Sequence, residues 1–242
     1  MSPEPREVRS ADGAGQAMTL ASALASVLAE ALRRRPLASL VVSGGSTPRD
    51  MYAQLAQHPL DWSRLLVTLA DERWVASDDA DSNERMVHAS LLHSGAAAAR
   101  FIGLKNGASG PGEGAAVAWA ALNALPRPFD AVVLGMGDDG HVASLFPGSP
   151  DLAAALDAQA PPGCVAVRPP VAPHARLSLN LAALLQSRRI FVQIMGALKW
   201  QAYEKARASG PIAAMPIRAI LRQNAVPVDV YWCPDAPASG VP

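Results

Sequence analysis

The sequence predicts an α/β fold in which a mostly parallel β-sheet is covered by helices on both faces. Apolar segments typical of strands alternate with segments typical of helices along most of the chain. The strand segments are continuously apolar, which is typical of strands that are buried on both faces. No internal repeat or linker interrupts this pattern, so we expect a single domain over residues 1–242. Its core is expected between about residues 37 and 232, with mobile N-terminal and C-terminal ends.

The individual elements follow from hydrophobic spacing and from proline at the ends of segments. Pro36 ends the first predicted helix, and Pro48 suits the first turn of the second, where the missing N–H costs nothing. Short apolar runs with β-branched residues predict strands. The predicted helices cover residues 17–35, 48–56, 83–92, 115–125, 197–208 and 217–222. The predicted strands cover residues 37–42, 65–70, 100–104, 129–134, 164–168, 176–179, 189–195 and 228–232.

Charge and composition argue against several classes of partner. Lys plus Arg and Asp plus Glu each number 21, so neither nucleic acid nor an acidic membrane surface is an expected partner. The longest apolar run, residues 20–32, is too short and too polar to cross a bilayer, and the polar N-terminus does not resemble a signal peptide. We therefore expect a cytoplasmic location.

Cys164 and Cys233 lack a CxxC spacing, so two reduced thiols are expected.

Residues that directly follow strands are the candidates for a functional site, because parallel α/β sheets bind ligands beyond the carboxyl ends of their strands. The first such segment reads Ser43-Gly44-Gly45-Ser46-Thr47. Its glycines let the backbone approach a ligand, and N–H groups at the start of the next helix favour an anion. A tight turn with a helix N-cap fits the same residues. No Gly-Lys-Ser/Thr follows, so this is not a Walker loop.

Charged residues follow the second predicted strand, in a loop over residues 71–82. Asp71 and Arg73 can supply a base and an anion clamp at the end of that strand. The same two residues also fit a plain surface ion pair. The sequence alone leaves both interpretations open.

A glycine loop with the pattern GxGxxG covers residues 135–140. It follows a strand, as a dinucleotide fingerprint does, but that fingerprint also needs a long helix behind its third glycine. Pro147 and Gly148 come too soon for such a helix. A nicotinamide cofactor is therefore not expected.

His141 follows this glycine loop and is a candidate general base, because histidine titrates near neutrality. Asp138 or Asp139 can orient its ring, as the third member of a catalytic triad does. A metal site built on these residues lacks a further cluster of ligands nearby, so no metal is expected. A histidine bonded within its own loop is the structural alternative.

Two cations stand beside later strands. Arg176 begins a predicted strand, and Lys199 lies in the first turn of a predicted helix, where a cation opposes the helix dipole. A bound anion would remove that conflict. Two solvated surface charges are the alternative. One sheet would bring all four segments to the same edge, and this convergence favours a functional site.

These segments together resemble the 6-phosphogluconolactonases, over about residues 37–232. Val142 departs from the threonine that is usual after the family's histidine. The motifs that carry the resemblance are Ser43-Gly44-Gly45-Ser46-Thr47-Pro48, Asp71-Glu72-Arg73-Trp74-Val75, Asp81-Ser82-Asn83, Gly137-Asp138-Asp139-Gly140-His141, Ala143-Ser144-Leu145-Phe146-Pro147-Gly148, Arg176-Leu177-Ser178-Leu179 and Gly196 with Lys199.

The resemblance implies a modified Rossmann-like sheet that is shared with the glucosamine-6-phosphate deaminases, the nearest rival assignment. Deaminases carry a glutamate shortly after the histidine, whereas Ala143-Ser144-Leu145-Phe146-Pro147 contains no acid. The lactonase assignment implies hydrolysis of 6-phospho-D-glucono-1,5-lactone to 6-phosphogluconate, the second step of the oxidative pentose phosphate pathway. It implies no metal or organic cofactor. A non-catalytic module that binds sugar phosphates is a further alternative.

The site expected from this resemblance divides into two parts. The catalytic part is His141, which takes a proton from the attacking water, with Asp139 as the residue that orients it. The phosphate is expected on the glycine loop with Arg176 and Lys199, while Arg73 binds substrate or stabilises the oxyanion. We expect a monomer or a weak homodimer. The substrate-binding part as a whole comprises Gly44, Gly45, Ser46, Thr47, Asp71, Arg73, Arg176 and Lys199.

Overall fold

A computed structural model of the chain describes residues 4–171 and 173–234. The tail after Pro234, which the sequence predicts to be mobile, lies outside the described residues from position 235 onward. The α-helices are α1 (Gly13–Arg34), α2 (Arg49–Ala56), α3 (Asn83–Ser90), α4 (Pro111–Ala121), α5 (Leu152–Ala155), α6 (Leu181–Leu185), α7 (Ala197–Arg207) and α8 (Ile217–Arg222). The strands are β1 (Arg6–Arg9), β2 (Ala38–Val42), β3 (Leu65–Leu69), β4 (Asp71–Arg73), β5 (Arg100–Ile102), β6 (Ala131–Leu134), β7 (Cys164–Val167), β8 (Arg176–Leu179), β9 (Ile190–Met195) and β10 (Val228–Cys233).

The main sheet confirms the predicted α/β class. Within the described residues it has seven strands in the order β1-β10-β9-β6-β2-β3-β5, and every pairing is parallel. Every residue of β2, β3 and β6 is buried. Strands with no exposed face must be covered on both sides, which explains why their sequences are continuously apolar.

The strand order reverses between β2 and β6. From β2 the chain moves to β3 and β5 on one side, whereas β6, β9 and β10 follow on the other side. Loops that leave β2 and β6 therefore turn in opposite directions and open a crevice beyond the carboxyl ends of the two strands. This crevice is where the topology places a ligand.

A second sheet corrects the prediction of a plain charged loop over residues 71–82. Asp71–Arg73 forms β4, which pairs antiparallel with β8 in a sheet of order β4-β8-β7. A three-residue strand with three charged side chains has no hydrophobic pattern, so its pairing partner decides its conformation. The register places Arg73 directly opposite Arg176.

The core also begins earlier than the predicted boundary at residue 37. Arg6–Arg9 forms β1, which pairs in parallel with β10 at the edge of the main sheet. The Arg6 guanidinium forms an ion pair with the buried carboxylate of Asp229, at 3.0 Å. The N-terminal segment is therefore part of the sheet rather than a loose end, and its charged edge-strand sequence hides this from a hydrophobicity pattern.

Helix α1 begins at Gly13, earlier than predicted, because the Asp12 carboxylate accepts a hydrogen bond from the backbone N–H of Gly15 and caps the helix. Among the described residues, α1 is the single helix that is long and apolar enough to cross a membrane. Its Leu20, Leu24 and Leu28 side chains are fully buried in the core. Packing inside the protein accounts for this apolar face.

Candidate functional site

A cavity of about 340 Å³ opens beyond the carboxyl ends of the central strands. Residues from all four segments that the sequence singled out line it, and so do eight of the ten predicted site residues: Gly44, Gly45, Thr47, Asp71, Arg73, His141, Arg176 and Lys199. Asp139 stands behind the lining, bonded to His141. Ser46 is exposed to solvent and does not line the cavity.

The glycine loop between β2 and α2 presents unused hydrogen-bond donors. No described residue accepts a hydrogen bond from the backbone N–H of Gly44, Gly45, Ser46 or Thr47. Gly45 has a φ of +97°, which side chains rarely adopt, and a Cβ on Gly44 would lie 1.8 Å from Asn83 Oδ1. Consecutive unpaired N–H groups at a helix start form a concave site that suits an anion.

His141 is held by a short, closed loop. The Gly137 N–H donates to the His141 carbonyl at 2.9 Å, so the chain folds back on itself. Asp139 Oδ1 lies 2.6 Å from His141 Nδ1 and also accepts the His141 backbone N–H. Asp139, rather than Asp138, is therefore the partner of the ring. With Nδ1–H donating to this carboxylate, Nε2 carries the lone pair that a general base needs.

The local structure around residues 135–140 differs from that of a dinucleotide fingerprint. A tight turn follows Gly140, and the next helix, α5, begins at Leu152. No long helix therefore packs behind the third glycine. The His141 ring instead packs against Phe146, with 4.4 Å between ring centroids.

Lys199 links helix α7 to the loop that carries the histidine. Its Nζ donates to the Met136 carbonyl at 2.7 Å and lies 3.0 Å from Asp138 Oδ1. The two neighbouring aspartates thus have different partners, because Asp138 faces the ammonium while Asp139 faces His141. Lys199 is therefore more than the solvated charge that the sequence left as an alternative. Any anion that binds it does so beside these existing contacts.

Arg73 and Arg176 form a pair of guanidinium groups without an acidic partner. Among the described residues, no carboxylate lies within 4.0 Å of either side chain. Arg176 is only 7% exposed. Burial lowers its pKa and the nearby positive charge of Arg73 lowers it further, while the charges of Asp71, Glu72 and Asp81 act in the opposite direction. Two like charges next to a cavity favour an anionic ligand between or beside them.

Asp71 does not form the surface ion pair that the sequence left open. Its Oδ2 accepts a hydrogen bond from the Ser144 hydroxyl at 2.5 Å, deep in the protein. Ser144 follows Ala143, which has an unusual φ of +49°. Asp71 thus connects β4 to the turn that follows His141.

A family comparison can be set beside this geometry. Residues 11–232 match the model of the family described as glucosamine-6-phosphate isomerases/6-phosphogluconolactonase. The chain belongs to this family.

Similar proteins from bacteria support the membership. The 6-phosphogluconolactonase of Pseudomonas putida is 43% identical over 93% of this chain and 91% of its own length. That of Pseudomonas aeruginosa is 45% identical over 91% of this chain and 92% of its own. The crystal structure of a 6-phosphogluconolactonase from Shewanella baltica OS155 superposes with a TM-score of 0.92 at 47% identity. The superposition covers 96% of this chain and 99% of the Shewanella baltica chain.

A monomeric glucosamine-6-phosphate deaminase shares the fold alone. Its TM-score is 0.76 at 18% identity, over 94% of this chain and 97% of that chain. The predicted modified Rossmann-like sheet is therefore common to both branches of the glucosamine-6-phosphate isomerase/6-phosphogluconolactonase family. The fold alone does not separate the two enzyme classes, whereas the similar proteins at 43–47% identity are 6-phosphogluconolactonases.

Two polar residues of this family member line the cavity without having been predicted as site residues. Asn83 Nδ2 donates to the Asp71 carbonyl at 2.9 Å, and Gln193 Nε2 donates to Gln16 Oε1 at 2.9 Å. Gln193 is a polar residue inside the apolar strand β9, a signal that can be read from the sequence. Asn83 is the first residue of α3, directly after the Ser82 N-cap, and a polar residue at a helix start does not by itself indicate a site.

Glu72 does not line the cavity, but it holds the backbone of two residues that do, Arg73 and Asn83. It is 1% exposed, and its carboxylate accepts the backbone N–H groups of Arg73, Asn83 and Glu84. Burial raises its pKa, while these N–H donors act in the opposite direction. The carboxylate thereby fixes the start of α3 against β4, which sets where Asn83 and Arg73 lie.

Proposed function

We propose that this chain hydrolyses 6-phospho-D-glucono-1,5-lactone to 6-phosphogluconate, the second step of the oxidative pentose phosphate pathway. The relatives at 43–45% identity over more than nine-tenths of the chain support the enzyme class, a 6-phosphogluconolactonase and therefore a hydrolase. One observation carries the mechanism. The His141–Asp139 pair faces the same cavity as a glycine loop whose N–H groups are unpaired in the described structure.

The phosphate is assigned to the glycine loop. The N–H groups of Gly44 to Thr47, together with the start of α2, supply donors to its oxygens. Lys199 and Arg176, both in the lining, supply positive charge. This anchor is remote from the reacting carbon, so its energy is used to place the lactone carbonyl beside His141.

The reaction needs one base and one acid, and His141 serves as both in turn. Its Nε2 takes a proton from water while the water oxygen bonds to the lactone C1. The tetrahedral oxyanion that forms is stabilised by Arg73. The C1–O5 bond then breaks, and the imidazolium returns its proton to O5. The new carboxylic acid ionises and releases one proton, so atoms and charge balance.

The proposal includes no metal or organic cofactor, because an ester-like lactone is already electrophilic. It treats the chain as a cytoplasmic enzyme, a monomer or weak homodimer, whose only partner is a small sugar-phosphate lactone. The formal net charge is zero, so the proposal includes neither nucleic acid nor a membrane as a partner.

A comparison of lactones with and without phosphate tests the proposal. At pH 7, acid release corrected for the spontaneous rate should show kcat/KM at least about 100-fold higher for the phosphorylated lactone, because it gains several charged hydrogen bonds. Equal rates on phosphate-free glucono-1,5-lactone would show that the phosphate site is wrongly assigned. Ammonia release from glucosamine 6-phosphate would instead favour the deaminase. Binding without hydrolysis would favour a sugar-phosphate-binding module.

Replacing Lys199 with alanine should raise KM by about 10- to 100-fold, since phosphate contacts act largely on the ground and transition states alike. A smaller fall in kcat is also expected, because the same ammonium holds the Met136 carbonyl. Steady-state kinetics on the phosphorylated lactone measure both effects. Lys205→Ala, an exposed change on the same helix, is the matched control. A Lys199 variant with wild-type KM would remove this residue from the phosphate site.

A further inference from the structure

A histidine–aspartate pair lies just outside the cavity and has no role in the reaction described above. His174 lies two residues before the start of strand β8, and Asp81 lies two residues before the start of helix α3. His174 Nε2 lies 2.9 Å from Asp81 Oδ2. Neither residue lines the cavity.

The backbone carbonyl of each member holds one of the two cavity arginines. Arg176 Nε donates to the His174 carbonyl at 3.2 Å, and Arg73 Nη1 donates to the Asp81 carbonyl. Arg73 and Arg176 are also opposite each other in the β4–β8 ladder. The four residues therefore form a closed ring of contacts, which the His174–Asp81 bond completes on the outer side.

The two guanidinium groups need such a constraint. They repel each other, and among the described residues no carboxylate lies within 4.0 Å of either one, so Asp71, Glu72 and Asp81 act on Arg176 only from farther away. Asp81 is nearby as a charged carboxylate, because the hydrogen bond from His174 and the charges of Arg73 and Arg176 lower its pKa. Without the bond to His174, the loop that carries the Asp81 carbonyl loses its tie to the strand of Arg176.

We propose that His174 and Asp81 are a positioning pair that holds the Arg176 and Arg73 guanidinium groups in place for the phosphate and for the oxyanion of the substrate. The pair acts through the arginines and does not take part in proton transfer. Through Arg176 it affects ligand affinity, and through Arg73 it affects the stabilisation of the oxyanion in the proposed reaction. The inference rests on the proposed function only in assigning both arginines to substrate.

A double-mutant cycle tests the pair, with His174→Ala, Asp81→Ala and the double variant. The KM for the phosphorylated lactone and the Kd for 6-phosphogluconate, measured by calorimetry, should rise about two- to fivefold in each single variant, the range typical of an exposed ion pair. The double variant should raise KM and Kd no more than the larger single effect. Because Arg73 stabilises the oxyanion in the proposed mechanism, kcat should also fall, by no more than about fivefold. His174→Gln keeps an N–H donor and should recover part of the affinity. His93→Ala, a change at a half-buried position that does not line the cavity, should leave KM, Kd and kcat at the wild-type values.

Several results would overturn the inference. An unchanged Kd in every variant, effects that add in the double variant, or a fall in kcat at constant Kd would each do so. Near-ultraviolet circular dichroism and the melting temperature establish whether each variant is folded. If an alanine variant is unfolded, His174→Gln is used in its place. If the wild-type chain bound 6-phosphogluconate but did not hydrolyse the lactone, the proposed function would fail, and the Kd values would still decide the role of the pair. A wild-type chain that did not bind 6-phosphogluconate would end both proposals.

Discussion

Replacing His141 with alanine should lower kcat for the phosphorylated lactone by about 10²- to 10⁴-fold, the usual contribution of a general base. The ligand affinity should change little, because the variant leaves intact the proposed phosphate site, which is the glycine loop with Lys199 and Arg176. The imidazole has one nitrogen bonded to Asp139 and the other available to water, so its removal deletes the group that accepts the proton. Steady-state kinetics and the Kd for 6-phosphogluconate separate the two effects.

Asp139→Ala is the informative companion to this variant. It removes the residue that orients the ring but keeps the base, so its loss in kcat should be smaller than that of His141→Ala. If His141→Ala lost activity while Asp139→Ala kept full activity, His141 would remain the proposed base. Asp139 would then have no role in orienting it. An unchanged kcat in His141→Ala would transfer the role of base to Asp71, the acidic residue that lines the cavity.

Replacing Gly137 with alanine is the second change expected to have a large effect. A Cβ there would lie 2.0 Å from His141 Nδ1 and 2.6 Å from Asp139 Oδ1. Because the ring and its carboxylate cannot keep their present positions, kcat should fall by about 10²-fold or more, the cost of a misplaced general base. The Kd for 6-phosphogluconate should change much less.

The control for this variant is Gly107→Ala. A Cβ on Gly107 meets nothing within 4 Å, and the residue does not line the cavity. Its kcat should match the wild type. If Gly137→Ala also kept wild-type kcat, the observed His141–Asp139 geometry would not be the one used in the reaction.

The sequence predicts most of the main sheet because the relevant signals are local. Strands such as β2 and β3 are continuous apolar runs, and proline stands near the ends of neighbouring helices. Strand β4 was missed because three charged residues have no strand pattern until β8 pairs with them. Strand β1 was missed for a similar reason, since its ion pair with Asp229 connects opposite ends of the chain.

The candidate site shows the same division. Parallel topology alone predicts that the segments after the strands converge, and the cavity contains residues from all of them. Asn83 was overlooked as a site residue because its place at the start of α3 already has an ordinary explanation. Ser46 was included because of its loop, yet its exposure depends on the path that the backbone takes between β2 and α2.

By itself, the sequence determined the α/β class, the main-sheet strands other than β1, and the candidate site segments beside the strands. Hydrophobic runs and glycine or proline signals are properties of neighbouring residues, so they can be read without coordinates. Only the tertiary structure decided that Asp139 rather than Asp138 partners His141, that Lys199 faces the same loop and that Arg73 faces Arg176. Those contacts depend on the direction of each loop backbone and on pairing between distant segments, which no local pattern encodes.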